Sequence, residues 1–401
     1  MSTRDPRPPM TPDLLAGDFF GYQQLLTDDE RELVVRARRF YAAEVAPGAS
    51  QRWVDEQVPH ALAPRFAEEG LIGLGVAADD EPARRTLLTG WLRMELARVD
   101  PSTATFIGVH DGLVMGTLAV LGSAEQRARW LPAMRRMDVV GAFALTEPEG
   151  GSDVAGGMRT TARRDGEEWV LDGAKRWIGN ACFADVVVVW ARDVADDQVK
   201  GFLVERGTPG FTATPIRGKT ALRAVENADI ALEGCRVPAA NHLEGANSFR
   251  DTNEVLRRTR GGVAWEAVGV SVGAYEHALA YTRERTQFGR PLASFQLVQD
   301  HLVRMLSDIT ASLGMVVRVC QLEEAGERRD EHAAMAKAFC TARMRDVVAR
   351  AREVMGGNGI LVDHHVARFV ADAEALYSYE GTREINTLVV GRAITGSSAF
   401  V

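Results

Sequence analysis

Two changes of texture divide this chain. Up to about residue 138 its apolar residues recur at helical spacing. From about Val139 to 250 the runs turn short, β-branched or alternating, as in "VVGAFALTEP", "ADVVVVWARD" and "GFLVERGTPGFTATP". Beyond 250 the helical period returns and lasts to the end, broken near Gly289, Gly326 and Gly356. Elements segregated in this way predict an α+β architecture rather than a βαβ alternation. In "LTDDERELVVRARRFYAAEVAP", Thr27 and Glu30 form a capping box and Pro47 closes the helix. "RRTLLTGWLRMELARVD" and "SAEQRARWLPAMRRM" read as further helices. Asp165-Gly166 and Asp172-Gly173 supply hairpin-turn chemistry in the middle stretch. The Pro-rich first 25 residues read as an extended arm. The expected domains are thus 26–138, 139–250 and 251–401.

Composition excludes several classes. A net charge of −8 without a dense basic cluster argues against a nucleic-acid surface. The four cysteines, Cys182, Cys235, Cys320 and Cys340, are widely spaced and form no CxxC pair, so neither a disulfide framework nor a metal site is expected. No run reads as the ~18 apolar residues of a membrane span and the N-terminus lacks an apolar leader, so a cytoplasmic location is the default expectation. There is no G-x-G-x-x-G after a strand, which argues against a nicotinamide-binding Rossmann domain. "MGGNGI" (355–360) follows a helix instead. It reads either as a helix C-cap or as a backbone that approaches a phosphate.

The stretch "YSYEGTREINTLVVGRAITG" puts a carboxylate, Glu380, just before a helix that starts near Thr382, on a turn that Gly381 keeps free of bulk. Taken alone, an acid there is accounted for by the helix dipole, worth roughly 0.3–1 kcal/mol. Its neighbours along the chain supply another reason. "ALTEPEGGSD" (144–153), "RWIGN" (176–180), "RERTQFGRPLASFQ" (283–296), "MGGNGI" and "YEGTREINTLVVGRAITG" occur in this order. Together they resemble the acyl-CoA dehydrogenase family, and the ending is most similar to its glutaryl-CoA dehydrogenase branch. The resemblance covers residues from about 25 to 400.

That resemblance implies a helical N-terminal domain, a middle β-barrel or sheet domain and a C-terminal four-helix bundle holding FAD. It implies that Phe143, Leu145 and Thr146 lie along the flavin, with Trp177 and Ile178 behind it. Arg285, Gln287 and Phe288 would meet the FAD pyrophosphate and adenosine. Gln296, Met355, Gly356 and Gly357 would reach the FAD of a neighbouring subunit, in a homotetramer. Thr382 and Phe400 match further flavin contacts. Ser152, Arg260 and Gly381 match positions on the thioester side, and Ala104 and Thr105 line the acyl pocket. Electrons would pass to an electron-transfer flavoprotein. Glu380 would be the base.

Chemistry accounts for that role. Desaturating a thioester removes a weakly acidic α-proton and a β-hydride, so a carboxylate must be held within reach of the former. The carbonyl must be polarised by fixed donors as enolate charge develops. The chain departs from the pattern at three places. The arginine and glutamate that hold glutarate's distal carboxylate are replaced by Ala104 and Ala97. A threonine beside the flavin's reactive edge is Gly179, and an Asn or Asp near the CoA adenine is Arg257. The expected substrate is therefore a short neutral acyl thioester, with His110 the nearby candidate cation and His110 and Asp111 possible sources of polarity. Alternatives are a decarboxylating glutaryl-CoA dehydrogenase, a dehydrogenase of carrier-protein-bound acyl groups, a flavin oxidase or monooxygenase, and a catalytically silent scaffold.

Overall fold

A computed structural model describes residues 15–77 and 83–400. Residues 1–14 of the expected arm lie outside the described residues. Residues 15–25 are not extended. They form turns and a 3-10 helix, Tyr22–Leu25, with Leu15, Asp18 and Gln23 buried. The Asp18 carboxylate draws them in by accepting the amides of Tyr22 (2.7 Å) and Gln23 (2.9 Å).

The first layer is helical: α1 (Asp28–Phe40), α2 (Ala49–Val54), α3 (Ala63–Glu68), α4 (Thr86–Val99), α5 (Pro101–Gly108), α6 (Gly116–Leu121) and α7 (Ala124–Arg135). Thr27 and Glu30 form the capping box of α1, and Ser123 with Gln126 forms that of α7. A π-helical turn, Val109–Met115, joins α5 to α6. By length and composition the run Pro101–Leu121 could cross a membrane, contrary to the sequence reading. Here it is a core helix, anchored by buried Asp100, which caps α5 and pairs with Arg368 at 3.0 Å.

The middle layer is a seven-stranded mixed sheet: β1 (Gly141–Ala144), β2 (Thr161–Asp165), β3 (Glu168–Gly179), β4 (Val186–Asp193), β5 (Val199–Glu205), β6 (Phe211–Pro215) and β7 (Asn227–Pro238). The order is β1-β4-β2-β3-β7-β6, with β5 also on β4. Strand β4 is buried on both faces, and its period of two divides it. Val186, Val188 and Trp190 join the helical core, while Val187, Val189 and Ala191 pack in the sheet's own core. Asp165-Gly166 lies in the β2–β3 hairpin, as its sequence predicts. Asp172-Gly173 does not form a turn. It sits inside β3 at a register shift, where Gly173 (φ 146°) lets the backbone pass Thr160.

The third layer is α8 (Phe249–Glu284), α9 (Gln296–Glu324), α10 (Asp330–Val354), α11 (Val366–Ser378) and α12 (Arg383–Thr395). The first four pack as a bundle, with α12 against α10. The breaks fall at Gly289, Gly326 and Gly356, all with left-handed φ. Helix α4 crosses onto α8 at unusually close range. A Cβ on Gly269 would lie 2.3 Å from Met94 O, and one on Gly273 would lie 2.2 Å from Arg98 O. This seam brings the first and third layers together beside the sheet, and it positions the site.

Candidate active site

Glu380 lies between α11 and α12 with φ 55°, followed by Gly381 at 82°. A left-handed glutamate costs of order 1–3 kcal/mol and persists only where its surroundings over-determine it. Lys337, buried on α10, supplies that determination. Its Nζ donates to Tyr377 O and to Gly381 O, both at 2.8 Å. Asn386 Nδ2 donates to Gly381 O as well, and Thr382 caps α12 by accepting Ile385 N. The turn is clamped from three sides.

The clamp holds the Glu380 side chain half-buried against α8, where Thr259 Oγ1 donates to its Oε2 at 2.8 Å. Among the described residues, the Glu380 amide donates to nothing. Burial pushes the carboxyl's pKa up, while Thr259, Arg260, Lys337 and Arg93 pull against it. Burial also lowers Lys337, to about 8. Arg260 is held by Asp330 at 2.7 Å, and the half-exposed Arg257 pairs with Glu254 (3.4 Å) and Asp330 (3.7 Å).

Next to Glu380 is a group that sequence reasoning missed. Tyr379 Oη donates to Glu266 Oε2 at 2.9 Å, and Arg93 Nη1 on α4 lies 3.5 Å from Glu266 Oε1. Burial raises the Glu266 pKa against the pull of Arg93. Arg93 and Glu266 line a cavity of ≈ 40 Å³ together with Ala104, Gly108 and Asp111. The available signal was a charge inside each of two apolar helical runs, "GWLRMEL" and "VAWEAVGV".

Two expectations at this wall need correction. His110 is not its cation. It is buried, accepts Gly141 N through Nδ1 (3.2 Å) and faces Met134 O through Nε2 (3.1 Å), so both nitrogens are used and the ring is neutral. Burial lowers its pKa accordingly. Thr105 is not among the residues that line the cavity, and its hydroxyl donates to Pro101 O at 2.9 Å. Ala104 and Ala97 are both buried. Ala97 is fully buried where α4 meets α8, beside Gly269.

Along the sheet, Phe143 and Leu145 are buried and Thr146 is half-buried. A buried pair fixes their loop. Lys175 Nζ donates to Glu147 Oε1 (2.8 Å) and Leu145 O (3.1 Å), and Glu147 also accepts the amides of Arg159 and Thr160. Ser152 is exposed on the loop beyond. Ile178 is buried, whereas Trp177 (φ 66°) presents half of its surface to solvent. Asn180 donates to Phe106 O and Gly141 O, joining this strand to α5.

The remaining candidates gather elsewhere. Arg285, Gln287 and Phe288 form an exposed turn after α8, with Phe288 92% exposed. Exposed Gln296 follows. Exposed Gly356 and Gly357 lie nearby, since Asn358 bonds Tyr281 Oη at 2.9 Å. Met355 is core. From Thr259 to Arg285 helix α8 spans about 40 Å at 1.5 Å per residue. One chain therefore does not bring this group to Glu380. Phe400, 40% exposed, lies over Arg392.

The family models for the acyl-CoA dehydrogenase N-terminal, middle and C-terminal domains match residues 27–138, 142–235 and 249–395. The chain belongs to the acyl-CoA dehydrogenase family. It is similar to an acyl-CoA dehydrogenase of Bacillus subtilis (30% identical, covering 93% of this chain and 100% of that one). It is also similar to the mouse mitochondrial short-chain specific acyl-CoA dehydrogenase (32%, covering 92% and 91%). Two solved structures of glutaryl-CoA dehydrogenase from Mycobacterium smegmatis superpose with TM-scores of 0.93, at 34% and 33% identity, each covering 97% of this chain and 100% of theirs. One of them is a complex with FADH2. This acyl-CoA dehydrogenase is an oxidoreductase that acts on acyl-CoA, and its family depends on FAD. Its residues suit that cofactor. Trp177 (50% exposed) and Phe288 leave aromatic surface for a planar ring, and Gly356 and Gly357 have open space where a Cβ would stand.

Proposed function

We propose that this enzyme forms an α,β double bond in a short acyl thioester, with Glu380 as the base that removes the α-proton. The observation that carries this reading is the clamped left-handed turn. It uses strain to aim one carboxylate, and that carboxylate accepts a hydrogen bond from Thr259 while the Glu380 amide has no acceptor among the described residues. A free amide beside the base is suited to the thioester oxygen, where charge develops. Burial has already raised the pKa of Glu380, and entry of an acyl chain would raise it further, toward the value at which a general base works best. Bound FAD supplies the hydride acceptor. Thr146 and Trp177 would hold its ring, and the Lys175–Glu147 pair would keep the 145–147 loop in place beneath it.

The group at the far end of α8 supports a homo-oligomer, a tetramer in our reading. Arg285, Phe288, Gln296, Gly356 and Gly357 would complete a cofactor site on another copy. An electron-transfer flavoprotein is the proposed acceptor. Decarboxylation of glutaryl-CoA is disfavoured, because Ala104 and the closely packed Ala97 leave no arginine–glutamate pair in those places. The test is anaerobic flavin bleaching by butyryl-CoA. Glu380→Gln should keep its FAD and its fold yet bleach ~10²–10⁴-fold more slowly. Bleaching at the wild-type rate would mean that the base lies elsewhere.

A further inference from the structure

The Arg93 guanidinium is held but not satisfied. Two glycines make room for it. A Cβ on Gly112 would come within 2.5 Å of Nη2, and one on Gly262 within 2.7 Å of Nη1. Yet of its five N–H donors only one finds a protein acceptor among the described residues, and that contact, to Glu266, is 3.5 Å long. The other donors belong to a head that is about a quarter exposed, at the wall of the ≈ 40 Å³ cavity. That volume is enough for a few waters or for the end of a short acyl chain. One wall residue of the cavity is tied to the turn that carries the base. Glu266 is bonded to Tyr379, the residue before Glu380, and the charge of Arg93 acts on Glu380.

The charges at the wall decide what chemistry it accepts. Arg93 faces two carboxyls, Glu266 and Asp111, and the latter is fixed by accepting Gly73 N at 2.8 Å. A substrate carboxylate would bring a third acid to one cation and lose its hydration in doing so. A plain methyl end would displace water and leave the guanidinium donors unmet. A hydroxyl or a carboxamide does neither, since its oxygen accepts from Arg93 while its hydrogen donates to a carboxyl.

Resting on the dehydrogenase reading above, we propose that Arg93, with Glu266, selects short acyl thioesters whose far end carries an uncharged group able both to donate and to accept a hydrogen bond. Arg93 is then a specificity residue of the acyl pocket, in a different place from the arginine that Ala104 replaces.

The experiment compares four CoA thioesters on the FAD-loaded enzyme: pentanoyl, 4-hydroxybutanoyl, glutaryl and the isosteric 4-carbamoylbutanoyl. The readouts are kcat/KM for flavin bleaching and, independently of turnover, calorimetric affinity for the matching unreactive S-alkyl thioethers. The expected order places hydroxyl and carboxamide ahead of methyl by ~10-fold or more, and carboxylate last, in line with hydrogen bonds to charged groups. Arg93→Met should bring the hydroxyl-to-methyl ratio close to one in both readouts. Gly112→Ala, which pushes a methyl into the guanidinium, should shrink the ratio too and gives a second variant should the first fail to fold. Equal or better use of pentanoyl by the wild type overturns the inference, as does glutaryl as the best substrate. A ratio unchanged in the folded variants also overturns it. Bleaching by none of the four would instead overturn the dehydrogenase reading itself.

Discussion

Two ion pairs, one in the sheet and one in the helical wall, are built to opposite specifications. In the sheet, Glu147 accepts Lys175 and two backbone amides, and Lys175 donates to Glu147 and to Leu145 O. Burial lowers the Lys175 pKa to about 8, and Glu147 pulls against that shift. In the helical wall, Arg93 and Glu266 touch at 3.5 Å beside a cavity, with most of the guanidinium donors unspent. A closed pair fixes a backbone. An open pair has capacity left for a ligand, and the difference is visible in the count of satisfied donors rather than in the residue types.

The comparison is broken most forcefully from the closed side. Glu147→Gln strands a buried ammonium, and removing one partner of such a pair costs ~3–5 kcal/mol. Denaturant unfolding should show a loss of that size, and a loss below ~1 kcal/mol would mean the pair is not the support described. Arg93→Met should cost less, ~1–2 kcal/mol, because the contact is long, the guanidinium is a quarter exposed and Glu266 stays bonded to Tyr379. If the two variants lose equal stability, the distinction between closed and open pairs fails.

A third acid sharpens the point. Asp372 on α11 accepts Trp53 Nε1 (2.8 Å) and Leu222 N (2.6 Å) through one oxygen, while its other oxygen is buried without a partner among the described residues. Burial pushes its pKa up to about 7. Between its unfolded value near ~4 and 7, the folded state binds more protons than the unfolded one. Its contribution is therefore fully present below ~4 and is lost as pH rises toward 7. Asp372→Asn should flatten the fall in thermal unfolding midpoint across that window. An unchanged slope would show that Asp372 is not the group responsible.

The smallest effect concerns Gly179. A Cβ there meets only ordinary contacts, with Val109 at 3.5 Å and Val225 at 3.6 Å, and its φ is not left-handed. Packing does not demand the glycine, so the missing hydroxyl is free to matter chemically. Gly179→Thr should slow reoxidation of the reduced enzyme by air relative to an electron carrier. Identical rates with oxygen would retire that idea.

What could be read from the sequence follows how far apart the partners lie. The Glu380 turn was legible because Gly381, the Thr382 cap and the periodic α12 are all within a dozen residues. The Thr27–Glu30 capping box and the glycine breaks between the long helices were legible for the same reason. Asp172-Gly173 misled because a two-residue turn signal and a bulge signal look alike until Thr160 is seen beneath the glycine. Arg93 and Glu266 escaped notice because 173 residues separate them, and each interrupts an apolar helix without a local partner. His110 drew attention as the candidate cation near the acyl pocket, yet its role is structural, tying the π-helical turn to β1 and to the end of α7.

The central claim is that Glu380 removes the α-proton, and α-hydrogen exchange reads that step alone. With the FAD reduced beforehand, so that hydride transfer is closed, the enzyme is incubated anaerobically with butyryl-CoA in D2O, and deuterium at Cα is followed by NMR. The wild type should wash deuterium into Cα at least ~10²-fold faster than Glu380→Gln, the range expected for loss of a positioned base. Equal exchange by the two proteins, or exchange that persists in the variant at the wild-type rate, would contradict the account.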